Sequence, residues 1–276
     1  MRMIHKLVIV WGICISMALA VGIYFVCHLN SELSEKQAFM MLFGNYDTSQ
    51  QTAIWKPMKF PAQEKVNEYF WKSRTGMVKK VFYQSYQENG YKKAFLLTKT
   101  IPSDVPYECH ACTPLLSATV FVRERSIWKV VHQNLFLTYD GEYGELLQAQ
   151  LIKIGPERFG ALLEAEHRSG ECFEREMVIL VPYKKSIEKA HEELAYYDNF
   201  NGCGWSIQCA TFSSKISFEQ SKNDLFYHMT IKRFGTQADE TQHNKAVPMD
   251  EVTEYRLHHG KYKQIFWKGY PKIKYN

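Results

Sequence analysis

The sequence lacks the short motifs that mark the common nucleotide-binding and hydrolytic enzymes. It contains no G-x-G-x-x-G and no P-loop, the glycine-rich turns whose backbone N–H groups approach phosphates. It also contains no G-x-S-x-G, because Gly204-Trp205-Ser206 is not followed by the second glycine of a nucleophile elbow. No residue constellation names a reaction, and no catalytic residue, metal site or cofactor is predicted. We therefore expect a binding protein rather than an enzyme.

Charge is absent from the segment Leu7–Leu29, which holds no Asp, Glu, Lys or Arg. About 20 apolar residues span the roughly 30 Å of a bilayer core, so residues 1–30 are predicted to form a signal anchor, a transmembrane helix. Arg2 and Lys6 precede this run and place the amino end in the cytoplasm. The remainder is then a periplasmic, extracytoplasmic part attached to the inner membrane. The alternative is cleavage near Ala20 and secretion.

Strong positive charge is also lacking. The chain carries +5, and Arg2 and Lys6 account for two of these charges, so the part beyond residue 30 carries about +3. A dedicated nucleic-acid-binding domain usually has a pI above about 9, so we do not expect nucleic acid as a partner. The chain is 46% hydrophobic and 14% aromatic, which is enough for a packed core. This composition predicts a globular body rather than a disordered stalk.

The pattern from residue 76 onward is that of an antiparallel β protein. Apolar and polar residues alternate in segments of five to ten residues that end at Gly, Pro, Asn or Asp, as at the Asn89-Gly90 hairpin signal. We predict a mainly β (α+β) fold in which an antiparallel meander forms a sandwich or a curved sheet. The predicted boundaries are 1–30 for the anchor, 31–75 for short helices and a tether, and 76–276 for the β-rich extracytoplasmic domain.

Five segments carry separate expectations. Residues 31–43 are predicted to form a helix capped by Ser31 or Ser34, and residues 62–72 a second helix. Residues 45–61 and 237–247 are polar and are predicted to be loops. Residues 186–197 have the composition of a helix but lie between strands, so helix and strand both stay open there.

Five cysteines follow the hydrophobic segment, and an oxidising compartment favours their pairing. The simplest pairs are local, Cys109 with Cys112 and Cys203 with Cys209. Cys172 is then left over, either as a free buried thiol or paired with another of the five.

The first cysteine pair lies in a distinctive segment, Tyr107–Ala118, which reads YECHACTPLLSA. The chain resembles a group of uncharacterised exported bacterial proteins in this segment, in Ile154-Gly155-Pro156, in the loop 201–209, and in the closing Tyr255-Arg256 with Gly260-Lys261-Tyr262. Members of that group contain Cys-His-Ala-Cys before a β-rich segment. The resemblance implies export and paired cysteines, and it implies no activity because the group has no established function.

Two other interpretations of Cys109-His110-Ala111-Cys112 are open beside a structural disulfide. A Cys-x-x-Cys pair can lower a thiol pKa and act as a thiol–disulfide oxidoreductase, although a strand pattern rather than a helix follows it here. The same residues with Cys203 or Cys209 could hold a zinc ion that stabilises the fold, although the second spacing is Cys-x5-Cys rather than Cys-x-x-Cys.

Acidic residues are absent after Glu254, where basic and aromatic side chains alternate. Such a stretch can rest on anionic headgroups or an anionic wall polymer, or it can form an ordinary half-buried hairpin with its aromatic residues inward. The candidate surface-binding residues are Arg256, Lys261, Lys263, Trp267 and Lys268. Together these features predict a membrane-anchored β-rich binding or interaction module of the bacterial envelope, whose partner is an envelope protein or a wall component.

Overall fold

The computed structural model describes residues 32–56, 75–102, 114–139, 148–169, 172–199, 210–220, 224–239 and 245–269. The predicted anchor at 1–30 and the predicted helix at 62–72 lie outside these residues. Within them, no helix has both the length and the apolar character needed to cross a membrane.

The described part of the chain is built almost entirely of antiparallel strands. Its one helix is α1 (Glu35–Phe43). Its strands are β1 (Thr52–Trp55), β2 (Gly76–Glu88), β3 (Tyr91–Pro102), β4 (Leu115–Glu124), β5 (Ile127–Tyr139), β6 (Gln148–Gly155), β7 (Arg158–Ser169), β8 (Cys172–Tyr183), β9 (Ser186–Asp198), β10 (Thr211–Glu219), β11 (His228–Asp239), β12 (Lys245–His258) and β13 (Lys261–Lys268). The prediction of a mainly β antiparallel fold is confirmed.

The strands form two meanders rather than one. Strands β1 to β5 make a five-stranded sheet, and β6 to β13 make an eight-stranded sheet that curls into a half-barrel. In both sheets each strand pairs with its neighbours along the chain. Tight turns connect many of these strands: at Asn89-Gly90 both φ angles are positive, 51° and 76°, as a two-residue hairpin turn requires.

The two sheets pack against each other through a shared hydrophobic core. Phe95 and Leu116 from the five-stranded sheet meet Leu163, Leu180 and Ile187 from the eight-stranded sheet, and all five are buried. The core is continued at one side by hydrogen bonds between the sheets. The backbone N–H of Gln133 donates to the carbonyl of Lys185 at 3.1 Å, and Nδ2 of Asn134 donates to the carbonyl of Ile187 at 3.0 Å.

Helix α1 covers the other face of the five-stranded sheet. Ala38 and Phe39 are fully buried there against Val78, Leu96 and Phe121. Ser34 is the N-cap, and a capping box joins it to Gln37, so the predicted helix and one of its two predicted caps are confirmed. Strand β4 is buried along nine of its ten residues because both of its faces are covered.

Three local expectations are settled by strand pairing. Residues 186–197 belong to strand β9, so the open choice between helix and strand resolves to strand. The predicted loop at 237–247 is largely wrong, because Gln237 pairs with Val247 and Asp239 with Lys245. Residues 45–61, predicted to be a loop or tether, contain the short strand β1, which pairs with β2.

Candidate functional site

The eight-stranded sheet curls around a cavity of about 840 Å³. Its walls come from strands β9 to β13, and both polar and apolar side chains line it. The lining residues are Glu192, Glu193, Leu194, Phe212, Arg233, Gln237, Met249, Glu251, Thr253, Tyr255, Gln264 and Trp267. The volume falls within the range of about 300–1,000 Å³ that small-molecule sites usually have.

The cavity adjoins a hydrophobic cluster of the same eight-stranded sheet. Along β11, alternate residues share one face, and Met229 and Ile231 are buried in this cluster. The next residues on that face, Arg233 and Gln237, line the cavity. The inward face of the strand therefore changes from apolar to polar where the hollow opens.

Arg233 lies at the polar floor of this cavity and forms a bidentate ion pair with Glu193. Its Nε and Nη2 donate to Oε1 and Oε2 of Glu193, each at 2.6 Å. The pair joins β11 to β9 across β10, and the Glu193 side chain is only 9% exposed. This parallel arrangement of two charge-assisted bonds is the strongest geometry for Arg and a carboxylate.

The electrostatics of the pair keep both partners charged. Burial acts to raise the pKa of Glu193, but hydrogen bonds from His191 and Arg233, with their charges, outweigh it and hold this pKa below its ordinary value. Burial likewise opposes the charge of Arg233, and the Glu193 carboxylate overcomes it and raises the pKa of Arg233. His191 completes the cluster, with Nε2 at 3.5 Å from Glu193 Oε2 and its ring 4.6 Å from that of Tyr255.

Glu251 is the second carboxylate at the cavity floor, and its contact with Arg233 is longer. Nη1 of Arg233 lies 3.3 Å from Oε2 of Glu251 and also 3.3 Å from Oγ1 of Thr253. Gly269 packs against the Glu251 stem and the Trp267 ring. A Cβ atom there would come within 2.8 Å of Glu251 Cγ and 2.7 Å of Trp267 Cζ2. The stem of Glu251 and the indole therefore crowd the same glycine.

The apolar wall of the cavity depends on a glycine. Gly235 has φ +136°, and an added Cβ would lie 2.2 Å from the carbonyl oxygen of Thr211 and 2.7 Å from Cα of Phe212. Phe212 also stacks on Tyr197, with ring centroids 5.6 Å apart at 20°. The missing side chain at Gly235 thus lets the Phe212 backbone come close on the neighbouring strand.

The structure separates the candidate surface-binding residues. Trp267 lines the cavity, whereas Lys263 and Lys268 are exposed on the same strand, β13. Arg256 pairs with Asp224, and Nζ of Lys261 donates to the carbonyl of Lys189 at 2.5 Å. The aromatic-inward hairpin interpretation thus fits Trp267 and the buried Tyr262, while the lysines face water.

The cysteine hypotheses fall mostly outside the described residues, which exclude Cys109, Cys112, Cys203 and Cys209. Cys172 is described, is half-buried and is a free thiol whose Sγ lies 3.4 Å from Oη of Tyr197. The hydrogen bond to Cys172, with burial, raises the pKa of Tyr197 to about 12. Among the described residues, no three His, Cys, Asp or Glu side chains cluster as metal ligands would.

Sequence reasoning missed every residue of the cavity floor. The available signal was a charged residue on the inward face of a strand, since Met229, Ile231 and Arg233 alternate within β11. The adjacent charges Lys232-Arg233, however, interrupt the apolar alternation, so the sequence alone reads as the end of the buried part of the strand.

Comparison of the chain with protein-family models, curated proteins and solved structures gives no match.

Proposed function

We propose that this protein is a non-enzymatic binding module of the bacterial envelope that holds a small amphipathic molecule in the hollow of its eight-stranded sheet. Residues 1–30 anchor it in the inner membrane and the β-rich part is periplasmic; cleavage near Ala20 would instead release the same module. The cavity of about 840 Å³ is the observation that carries the proposal.

The lining favours a ligand with both apolar and polar parts. Leu194, Phe212, Met249 and Trp267 offer apolar surface, and Gln237 and Glu251 offer polar groups. Nε2 of Gln237 is buried and has no hydrogen-bond partner among the described residues. A buried polar group of this kind normally finds a partner, and a bound ligand can supply one.

The arrangement of charges supports binding rather than catalysis. The buried ion pair of the cavity floor, Arg233 with Glu193, is held by two short bonds, so neither group is free to exchange a proton near neutral pH. Such a pair can fix the shape of the floor and orient polar ligand groups, which is the usual role of the few polar side chains in a binding cavity.

The proposal is tested by observing one indole of the intact protein. The full chain, labelled with 5-fluorotryptophan and held in phosphatidylglycerol nanodiscs, is titrated with hexan-1-ol as a neutral amphipathic probe. Each ¹⁹F resonance is assigned with a Trp→Phe variant. We expect the Trp267 resonance to shift saturably while that of Trp128, which lies in the five-stranded sheet, stays in place.

A pair of variants on one strand separates the cavity from the rest of the surface. Gln264→Trp places a large ring at the cavity wall, and Lys263→Trp places the same ring at the adjacent exposed position. Gln264→Trp should abolish the Trp267 response, and Lys263→Trp should leave it unchanged. No shift of Trp267 with the wild-type chain, or equal loss in both variants, would overturn the proposal.

A further inference from the structure

The side chains that line the cavity carry more negative than positive charge. Arg233 is the one Lys or Arg side chain among the described residues that line it, whereas three carboxylates do so, those of Glu192, Glu193 and Glu251. Glu192 pairs with Lys189, which is not a lining residue. Two carboxylates therefore share a single guanidinium at the cavity floor.

Glu193 accepts most of the hydrogen bonds that this guanidinium donates to carboxylates. It receives Nε and Nη2 at 2.6 Å, the two donors of one edge of the fork. Glu251 receives only Nη1, at 3.3 Å, and Thr253 shares that donor at the same distance. The Glu251 carboxylate thus keeps most of its negative charge and most of its acceptor capacity for another partner, although its side chain is only 14% exposed.

Aromatic rings stand beside this carboxylate. Trp267, which packs against the same glycine as the Glu251 stem, lines the cavity together with Tyr255 and Phe212. The faces of such rings attract cations, most strongly when the site is shielded from water, and aromatic rings with a carboxylate form the usual environment of bound ammonium groups.

We propose that the cavity is selective for an alkylammonium cation, with the charged nitrogen beside the Glu251 carboxylate on the cavity side and the alkyl chain against Phe212 and Met249. This inference rests on the proposed function of the cavity and adds the sign and the chemical class of its ligand. The same chemistry occurs in an amine-bearing lipid headgroup and in a free polyamine.

The test compares three probes of equal chain length on the fluorotryptophan-labelled full chain in phosphatidylglycerol nanodiscs. Hexyltrimethylammonium, hexan-1-ol and hexanoate each contain a six-carbon chain, and their head groups are cationic, neutral and anionic. We expect hexyltrimethylammonium to shift the Trp267 resonance with an affinity about tenfold tighter than hexan-1-ol, and hexanoate to bind more weakly than either. An equal affinity for the cation and the alcohol would overturn this inference and leave the proposed function standing. No response to any probe would overturn both.

Two charge-neutralising variants of adjacent residues assign the effect to the site. Glu251→Gln removes the carboxylate in the cavity, and Asp250→Asn removes the same charge at the neighbouring exposed position of β12. Glu251→Gln should bring hexyltrimethylammonium down to the affinity of hexan-1-ol while hexan-1-ol binding is kept, which shows that the cavity is intact. Asp250→Asn should leave both unchanged. Equal losses in the two variants would mean a diffuse surface charge effect and would overturn the inference.

The same experiment distinguishes a lipid headgroup from a free polyamine as the source of the ammonium group. If Trp267 is already shifted when phosphatidylethanolamine replaces part of the nanodisc lipid, the ligand is a lipid headgroup. If spermidine shifts it in phosphatidylglycerol alone, the ligand is a free polyamine. A failure of both together with a failure of hexyltrimethylammonium would overturn the ammonium assignment.

Discussion

At the scale of single residues, the pair of Glu193 and Arg233 is the interaction on which the cavity floor depends. Each side chain is largely removed from water, so a partner left alone would be a buried charge without compensation. Breaking such a pair from one side costs about 3–5 kcal/mol, much more than the loss of an exposed ion pair. The charged Arg233 side chain is thus tolerated on the inward face of the sheet because Glu193, on the far side of β10, forms an ion pair with it.

The depressed pKa of Glu193 predicts a pH-dependent contribution to stability. Its folded-state pKa is below the ordinary 4.5, so the stabilisation is present above that value and is lost as pH falls through the folded-state pKa. Glu193→Gln should therefore lower the free energy of unfolding by about 3–5 kcal/mol at neutral pH and by clearly less near about pH 3. Urea denaturation of the full chain in dodecyl maltoside at several pH values measures this.

The matched control for that variant is Glu157→Gln, because Glu157 is an exposed carboxylate. It should change the free energy of unfolding by no more than about 0.5 kcal/mol at any pH. A loss in Glu193→Gln that is equally large at pH 3 and at neutral pH would contradict the assignment of the stabilisation to the carboxylate charge.

At the scale of elements, the sequence predicts the existence of strands better than their grouping. The turn at Asn89-Gly90 and the cap at Ser34 are local, because their conformations depend on residues within three or four positions, and both were predicted correctly. Strand β9 was ambiguous since its residues favour a helix by propensity. Pairing with β8 and β10, together with burial of Ile187 and Ala190, decides for the strand.

The loop prediction for 237–247 failed at both of its described ends, where polar residues are paired. Gln237 and Asp239 at the end of β11 pair with Val247 and Lys245 at the start of β12, and composition alone predicted a loop there. The inward face at this point lines a cavity rather than a dry core, so polar residues are compatible with a strand. The cavity floor could not be found from the sequence because its members come from β9, β11 and β12. Arg233 meets Glu251 through the register of β11 and β12, and it meets Glu193 across β10.

The close approach of β10 and β11 at Gly235 gives a prediction at this scale. Gly235→Ala would force a Cβ against the Thr211 carbonyl oxygen and Phe212 while φ stays at +136°, so the strands must move apart. We expect a loss of about 2–4 kcal/mol in the free energy of unfolding. Gly90→Ala is the control, because it shares a positive φ of 76° but its added Cβ meets nothing within 4 Å. It should cost about 1 kcal/mol.

Thermal or urea unfolding of the two alanine variants side by side measures the difference. Because Gly235 also positions Phe212, Gly235→Ala should weaken the response of Trp267 to hexan-1-ol, whereas Gly90→Ala should not. Equal destabilisation by the two substitutions would show that the close approach at Gly235 does not contribute to the free energy of unfolding.

At the scale of the whole molecule, each sheet has one face in the shared core and another face with its own cover. The second face of the five-stranded sheet is covered by α1, and that of the eight-stranded sheet is folded upon itself by curling. The space inside the curled eight-stranded sheet has two parts. Ile179 and Ile231 belong to the apolar cluster that fills one part, and the cavity occupies the other.

The predicted position of this body outside the cytoplasm can be checked through its thiols. The chain has seven cysteines, of which Cys14 and Cys27 lie in the hydrophobic segment. If Cys109–Cys112 and Cys203–Cys209 are bridged, as export favours, then alkylation of the denatured full chain without reduction should modify three cysteines: Cys14, Cys27 and the free Cys172. Cleavage near Ala20 would remove Cys14 and leave two.

Intact-mass and peptide mass spectrometry after non-reducing alkylation gives this count together with the amino terminus. Cys172→Ser should lower the count by one and leave both bridged peptides in place, because the predicted local pairing leaves Cys172 as the odd thiol. Alkylation of all seven cysteines without reduction would contradict the extracytoplasmic location, since thiols stay reduced in the cytoplasm and pair outside it.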